Sequence, residues 1–170
     1  MDVVLRAAGV DDVEHIRWAL YTALAWNPQR RLPPLEVTLE HQEAARYHLG
    51  WGRRGDLGVV AELDGEVVGV AYCRLFTEAD HGHGYVDNET PEVAVAVREG
   101  RRGRGLGARL MNALSERAHA AGFDRLSLSV AAENPARRLY ERLGYRELAN
   151  DEDGVRMVVE LTLRSATFVP

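Results

Sequence analysis

A glycine-rich and arginine-rich segment in the second half of the chain carries the clearest chemical pattern. Gly103, Gly105 and Gly107 follow a valine-rich run over 92–97 and precede leucines at helical spacing. Glycine lets the main chain approach a ligand closely, and a helix N-terminus offers unpaired N–H groups with partial positive charge. Formal positive charge is added by Arg101, Arg102 and Arg104. The segment therefore predicts an anion site, most simply one for a diphosphate.

Three interpretations of this segment compete. It could be a tight turn on a solvated arginine face. The pattern Gly103-x-Gly105-x-x-Ala108 also formally satisfies a dinucleotide-binding motif. That motif should open the first βαβ unit of a longer chain, whereas here it lies past the middle. A nucleotide P-loop is excluded, because no Gly-Lys-Ser/Thr follows the glycines.

The third interpretation is a resemblance to a known family. Arg102-x-x-Gly105-x-Gly107 after a Val-x-Val strand resembles the acyl-CoA-binding motif of the GNAT superfamily of N-acetyltransferases. Residues 134–145 are similar to a later motif of that family, an Asn-capped helix with a tyrosine followed by Leu-Gly-aromatic. Two motifs in the right order, with a strand between them, are more specific than either alone. The resemblance covers roughly residues 56–163, and the N-terminal part is compatible with it.

The resemblance implies that an amine attacks the acetyl thioester of acetyl-CoA directly. Main-chain N–H groups from Arg102 through Gly107 would cradle the pyrophosphate. The main chain of Val95 and Val97 would pair with the pantetheine arm like an added strand. Asn134 would contact the pantetheine as well as cap its own helix. The residues expected to hold acetyl-CoA are Val95, Val97, Arg102, Gly103, Arg104, Gly105, Leu106, Gly107 and Asn134.

Two residues are candidates for proton transfer. Tyr140 matches the family's helix tyrosine, commonly the general acid for the leaving thiolate; the alternative is an aromatic packed on the helix face. Glu92 begins the strand that leads into the cofactor site and is the candidate general base. It could equally be a surface charge at a strand end, since some members of this family work through water chains without a carboxylate base.

The acceptor side gives weaker patterns. From Leu75 to Val97 there is no arginine, and an acidic rim of this kind attracts a cationic amine, although a solvated loop is the plain alternative. The carboxylates are Glu78, Asp80, Asp87, Glu89 and Glu92. Aromatic residues of the N-terminal part could wall a hydrophobic acceptor pocket or belong to the core. They are Trp18, Trp26, Tyr47 and Trp51.

Two further residue groups have chemistry that we do not expect the protein to use. His81 and His83 flank a glycine beside Asp80, but no other obvious ligand set accompanies them, so no metal site is predicted. Cys73 lies in the middle of a strand, where a small buried hydrophobe is the default.

These residues are positioned by elements that the sequence also predicts. A strand over 3–7 precedes a helix capped by Asp11 and Asp12, with Ile16, Leu20 and Leu24 on one stripe. A second helix is predicted over 35–49. Asp64-Gly65 predicts a hairpin of strands 56–63 and 66–76, and a strand over 92–97 follows.

The second half of the chain predicts further helices and strands. A helix carries Leu106, Leu110, Leu114 and Ala118 and ends at Gly122. Strand 126–130, a helix opening at Asn134-Pro135, and a closing hairpin of 145–149 with 155–163 complete the order.

This order predicts an α/β fold of the α+β type. We expect a three-layer sandwich whose central mixed, largely antiparallel sheet of six to seven strands is flanked by about four helices. One domain over 1–170 is expected, with 1–55 on the acceptor side and 56–163 as the cofactor-binding core.

Composition limits the function classes. The chain is 46% hydrophobic and 28% charged, with a net charge of -5, which argues against a wholesale nucleic-acid binder. Uncharged stretches such as 18–29 are too short to cross a bilayer. One cysteine fits a reducing cytoplasm.

We therefore expect an N-acetyltransferase that moves an acetyl group from acetyl-CoA to a primary amine of a small molecule or peptide. Neither a nucleic acid nor a membrane is expected as a partner, and a homodimer is left open. The alternatives are a non-catalytic CoA-binding sensor and, ranked below it, a dinucleotide-binding protein.

Overall fold

The computed structural model describes residues 2–162 and contains seven strands and five helices in that range. The strands are β1 (Val4–Ala7), β2 (Leu57–Leu63), β3 (Glu66–Arg74), β4 (Glu92–Val97), β5 (Arg125–Val130), β6 (Arg146–Asp151) and β7 (Gly154–Glu160). The helices are α1 (Val13–Leu24), α2 (Leu35–Glu40), α3 (Gln42–Ala45), α4 (Leu106–Ala120) and α5 (Arg137–Arg142). Short 3₁₀ turns at Val10–Asp12 and Glu99–Arg101 lead into α1 and α4.

The seven strands form one mixed sheet in the order β1-β2-β3-β4-β5-β7-β6. Neighbours are antiparallel except β4 and β5, which are parallel and joined by the crossover helix α4. This confirms the predicted fold class. It also removes the dinucleotide interpretation, since the glycine motif follows the fourth strand of a largely antiparallel sheet and not the first strand of a parallel one.

The first hairpin forms as its turn residues predict. Asp64 and Gly65, which join β2 to β3, both adopt positive φ, at 54° and 82°. Two successive positive φ angles are the requirement of a type I′ turn, whose twist matches that of the flanking strands.

The helices cover both faces of the sheet. On one face the buried stripe of α4, made of Leu106, Leu110, Leu114 and Ala118, packs as predicted. On the other face Ile16 and Leu20 of α1 are buried in a second cluster.

Side chains alternate along β4, so Val93, Val95 and Val97 lie on the α4 face. Ala94 and Ala96 lie on the α1 face, and Glu92 shares their alternation.

The single helix predicted over 35–49 is wrong. The chain forms α2 and α3 with a break at His41, whose ψ of 136° is extended. No glycine or proline marks the break in the sequence. The turn after α3 instead folds back on α2, where Nε2 of buried His48 lies 2.9 Å from the carbonyl oxygen of Leu39.

Several predicted details differ at the ends of elements. The Asp12 carboxylate does not cap α1; it accepts bonds from Arg6 and from the N–H of Gly9. Leu24, expected on the buried stripe, is 41% exposed. The last strand ends at Glu160, and Leu163 lies outside the described residues.

Candidate active site

Strands β4 and β5 separate almost as soon as they meet. Their one register pair within residues 2–162 is Glu92 with Ser127, and the Ser127 N–H donates to the carbonyl of Pro91 at 3.0 Å. Toward the carboxyl ends of both strands no further pair forms. A gap therefore opens in the middle of the sheet, at the carboxyl ends of its two parallel strands.

The main chain of β4 offers hydrogen-bonding groups to this gap. The N–H of Arg98 donates to the carbonyl of Val68 on β3 at 2.9 Å. In an antiparallel pair, alternate residues direct both main-chain groups to the same neighbour. Residues in step with Arg98 therefore bond to β3, whereas Val95 and Val97 direct their N–H and C=O groups away from β3 and toward the gap. This is the edge at which the resemblance to the GNAT superfamily places the pantetheine arm.

The three-glycine turn lies just beyond the end of β4. Gly103 and Gly105 adopt positive φ, at 74° and 77°, and no heavy atom lies within 4 Å of a Cβ built on either. Within the described chain, no main-chain hydrogen bond uses the N–H groups of residues 103–107. The N–H of Arg102 is already bonded to Glu99 at 3.2 Å, so the run of available groups begins one residue later than predicted. These groups open the 15-residue helix α4, which suits an anion.

The arginines of this turn are available to an anion as well. Among residues 2–162, Arg101, Arg102 and Arg104 form no ion pair with a carboxylate. Arg102 Nε donates to the carbonyl of Val97 at 3.0 Å, which ties the turn to the edge of β4. A cavity of about 410 Å³ lies here, lined by Trp18, Thr22, Val97, Arg98, Glu99, Gly100 and Arg102.

Helix α5, which carries Tyr140, packs against the start of α4. A Cβ on Gly107 would lie 3.1 Å from Leu139 Cδ2, so the start of α4 contacts α5 directly. The Tyr140 ring packs 5.9 Å from that of Tyr145, and burial raises the pKa of Tyr140 to about 12. Asn134 Oδ1 accepts the N–H of Ala136 at 2.9 Å. The predicted helix cap at Asn134 is wrong: α5 begins at Arg137 with Ala136 as its N-cap, and Asn134 closes the turn that precedes the helix.

Glu92 is not a surface charge. It is 5% exposed, and its Oε1 accepts a hydrogen bond from the hydroxyl of Tyr47 at 2.8 Å. Its Oε2 is buried without a partner among the described residues. Burial raises the pKa of Glu92, while the hydrogen bond from Tyr47 opposes that shift. A buried carboxylate with one unpartnered oxygen has the properties of a general base.

Two glycines of the 78–91 loop let the chain pass directly over this carboxylate. A Cβ on Gly82 would lie 1.8 Å from the Tyr47 hydroxyl and 2.7 Å from Glu92 Oε2. A Cβ on Gly84 would lie 2.7 Å from Glu92 Cδ. Neither position tolerates a side chain, so both glycines are required by close approach.

A second cavity, of about 280 Å³, lies beside this loop on the α1 face. We call it the loop cavity; its lining is Glu43, Arg46, Tyr47, His81, Gly82, His83, Tyr85, Asp153 and Arg156. Both charge signs are present, and Arg46 Nε is buried without a described partner. Within residues 2–162 the hydrogen bonds of Arg156 are long, 3.3 Å to the His83 carbonyl and 3.5 Å to Asp151.

Arg74 and Asp56 support the site and were missed in the sequence. Their side chains are 1% and 0% exposed and are joined by two bonds of 2.8 Å. Arg74 Nη1 also donates to the carbonyls of Arg46 and Leu49, which bracket Tyr47. The one available signal was a lone arginine ending a strand that is otherwise almost wholly apolar.

The structure separates the four aromatic residues that the sequence grouped. Trp26 is half-buried and follows the end of α1. Tyr47 lines the loop cavity, and Trp18 lines the larger cavity with the Arg98 guanidinium 5.4 Å from its ring. Trp51 packs edge-on against Tyr72 in the core.

The structure also shows the surroundings of the acidic stretch, of the two histidines and of the cysteine. Asp87 pairs with Arg125, and Asp80 lies 3.5 Å from Arg46, so part of the expected acidic rim is neutralised. No group of three metal-ligating side chains occurs within residues 2–162, and the absence of a metal stays a prediction. Cys73 is fully buried, and burial raises its pKa to about 12. It is therefore the inert core thiol that was expected.

Comparison with known proteins identifies the family. Residues 11–145 match the acetyltransferase (GNAT) family. The chain belongs to the GNAT acetyltransferase family. It is 32% identical, over 149 residues, to an L-methionine sulfoximine/L-methionine sulfone acetyltransferase of Pseudomonas paraeruginosa, covering 85% of this chain and 81% of that one. The corresponding Pseudomonas aeruginosa enzyme is 31% identical with the same coverage.

Solved GNAT structures share the fold. The yncA acetyltransferase of Salmonella typhimurium, solved with acetyl-CoA, superposes with a TM-score of 0.64 at 24% identity over 98% of both chains. The paia N-acetyltransferase of Thermoplasma acidophilum, solved with coenzyme A, gives 0.69 at 12% identity over 94% of this chain and 99% of that one. The family match and the two Pseudomonas relatives show that the chain is an acyltransferase. In the described part of the chain no helix is long and apolar enough to span a membrane.

Proposed function

We propose that this GNAT protein transfers the acetyl group of acetyl-CoA directly to the primary amine of a small, amino-acid-like acceptor. The observation that carries the proposal is the gap between β4 and β5, which leads from the buried carboxylate of Glu92 to the open glycine turn at 103–107. The glycine-turn end of the gap suits a diphosphate, and the Glu92 end suits proton transfer.

The residues at the gap fit acetyl-CoA, which supplies an activated acetyl thioester. The free N–H groups of residues 103–107 would bind its diphosphate, with Arg102 and Arg104 adding charge. The N–H and C=O groups of Val95 and the N–H of Val97 would bond to the pantetheine amides as a neighbouring strand does, while the Val97 carbonyl already accepts from Arg102. Asn134, oriented by the bond from the Ala136 N–H in the turn between β5 and α5, would contact the pantetheine.

The proposed base and acid lie on opposite faces of the sheet. Glu92 points to the α1 face, where the loop cavity lies, and Tyr140 packs against the cluster on the α4 face. Glu92 would take a proton from the acceptor's ammonium, and Tyr140 would protonate the leaving thiolate. Tyr140 is protonated at neutral pH, but burial raises its pKa to about 12. Proton transfer to a thiolate whose conjugate thiol has a pKa of about 8.5 is therefore uphill, and the proposal requires bound acetyl-CoA to change the surroundings of the phenol.

The loop cavity is the proposed acceptor site. Its carboxylates, Glu43 and Asp153, and its guanidinium groups, Arg46 and Arg156, match a small molecule that carries both an ammonium and a carboxylate. Three of its lining residues come from the 1–55 region, which supports that region as the acceptor side. The relatives' acceptors, L-methionine sulfoximine and L-methionine sulfone, belong to this chemical class.

Thiol release from acetyl-CoA tests the proposal. Initial rates are measured with L-methionine sulfone, L-methionine sulfoximine, an alkylamine of similar length and a short peptide with a free N-terminus. We expect the highest kcat/KM with the two amino acids. Release with the peptide alone would overturn the acceptor class, and tight CoA binding without release across the panel would indicate a sensor.

A further inference from the structure

The Glu92 carboxylate has no direct route to the loop cavity. Glu92 is 5% exposed and does not line the cavity, because Gly82 and Gly84 lie directly over it. Tyr47, in contrast, lines the cavity and also touches the carboxylate. A base in this position needs another group to collect the proton.

Tyr47 is held in one orientation by bonds on two sides. Its hydroxyl donates to Glu92 Oε1 at 2.8 Å and accepts the main-chain N–H of His83 at 3.0 Å. A phenol oxygen has two lone pairs, so one remains for a further donor. Phe76 packs edge-on against the ring at 5.2 Å, and Arg74 holds the carbonyls on either side of the residue's segment.

We propose that Tyr47 relays the proton from the acceptor's ammonium to Glu92, an inference that rests on the proposed function. One N–H bond of the ammonium breaks, which leaves on the nitrogen the lone pair that attacks the thioester, and a new O–H bond forms on the Tyr47 oxygen. In the same step the original Tyr47 O–H bond breaks and its proton moves to Glu92 Oε1. The charge lost by the nitrogen is balanced by neutralisation of the carboxylate.

The proposed transfer is concerted. Burial, together with the negative charge of Glu92, raises the pKa of Tyr47 far above its ordinary value, which opposes formation of a free phenolate as an intermediate. The titratable groups around Glu92 are Tyr47 from the turn after α3, Tyr72 from β3, and His81 and His83 from the loop. The acidic limb of a pH–rate profile reflects the coupled titration of all these groups. The contribution of one residue is therefore found by comparing the limb of its variant with that of wild type.

The test compares Tyr47→Phe, Glu92→Gln and the double variant with wild type, using the pH dependence of kcat/KM for thiol release. Tyr21→Phe is the control, because its hydroxyl bonds to the carbonyl of Pro33 outside the site. We expect each single variant to lose roughly 10²-fold or more in kcat/KM and to flatten the acidic limb. The double variant should be no slower than the slower single variant, because the two residues act as a unit.

Distinct results would overturn the relay. If Tyr47→Phe keeps kcat/KM within about threefold and retains the acidic limb, or if the two losses multiply in the double variant, Tyr47 is not the carrier. A purely structural Tyr47 would lower the melting temperature and raise KM while leaving the limb in place. No thiol release by wild type with any amine would instead refute the proposed function, and the relay with it.

A measurement on the unmodified protein covers the case in which Tyr47→Phe does not fold. In a proton inventory, kcat/KM is measured in H₂O–D₂O mixtures and plotted against the fraction of D₂O. Two protons moving in one step give a curved plot, as the relay requires. A straight plot, the signature of one proton in flight, would contradict it.

Discussion

Glu92 and Ser127 face each other in the one register pair that joins β4 to β5 within the described chain. On the β3 side, β4 is paired along its whole length, from Glu92 with Arg74 to Val97 with Gly69. One edge of β4 is thus fixed and the other is open to a ligand beyond its first residue. The candidate base therefore lies at the point where the sheet divides.

Burial of Glu92 predicts a pH-dependent effect on stability. Its pKa is raised above the ordinary value near 4.5 in the folded state, so the fold loses stability as pH rises from that value through the folded-state pKa. Glu92→Gln lacks this loss. The free energy of unfolding of the variant, relative to wild type, should therefore increase between pH 5 and pH 8.5 in urea titrations. An equal difference at both pH values would contradict a raised pKa.

Tyr140→Phe tests the general acid. We expect kcat to fall by about 10²-fold while KM for the acceptor changes little, since the phenol donates only to the leaving group. Because the pKa is about 12, no alkaline limb below pH 10 should belong to Tyr140. Tyr145→Phe is the control, an adjacent buried tyrosine whose hydroxyl has no described partner. A loss of less than about twofold in Tyr140→Phe would leave it only a packing role.

Gly105→Ala tests the diphosphate site against Gly65→Ala. Both glycines have similar positive φ, 77° and 82°, and both have open space where a Cβ would lie. A left-handed conformation costs a non-glycine residue about 1–2 kcal/mol, so both variants should lose comparable stability in urea. Only Gly105→Ala should raise KM for acetyl-CoA, by roughly tenfold, because the methyl group crowds the N–H cradle. An equal KM in the two variants would refute the cradle.

Arg156→Gln tests recognition of the acceptor's carboxylate. Losing a charge-assisted bond costs about 1.5–3 kcal/mol, or roughly ten- to a hundredfold in KM for L-methionine sulfone. KM for an alkylamine of similar length should not change. Arg146→Gln removes an exposed arginine paired with Glu160 at 3.3 Å and serves as the control. A parallel rise in KM for both acceptors would show that Arg156 does not read the carboxylate.

Arg74→Met tests the buried support of the site. Breaking a buried ion pair by removing one partner costs about 3–5 kcal/mol, because the Asp56 carboxylate is left buried and uncompensated. Arg146→Met, in an exposed pair, should cost no more than about 1 kcal/mol. Chemical denaturation measures both. A small loss in Arg74→Met would mean that Asp56 is hydrated or protonated without its partner.

Local chemistry made much of the scaffold predictable. The Asp64-Gly65 turn and the leucine stripe of α4 each depend on residues within a few positions of one another. The glycine turn was predictable for the same reason. Positive φ and a free helix N-terminus are properties of a short segment, and the segment shows both.

The contacts that complete the candidate site are not local. Tyr47 and Glu92 are 45 residues apart, and Arg74 reaches the carbonyls of Arg46 and Leu49 across 28 and 25 positions. The sequence presents Tyr47 as one aromatic among several and Glu92 as a strand-end charge. The break at His41 has the same origin, since contacts of the folded chain, and not a glycine or proline, divide α2 from α3.

Product analysis tests the central claim most directly. Purified protein is incubated with acetyl-CoA and L-methionine sulfone, and free thiol and N-acetyl product are quantified from the same reaction by absorbance and mass spectrometry. Acetyl transfer at the sheet gap predicts one N-acetylated amino acid for each thiol released. Thiol release without an acetylated amine, or no thiol release with this or any other amine, would contradict it.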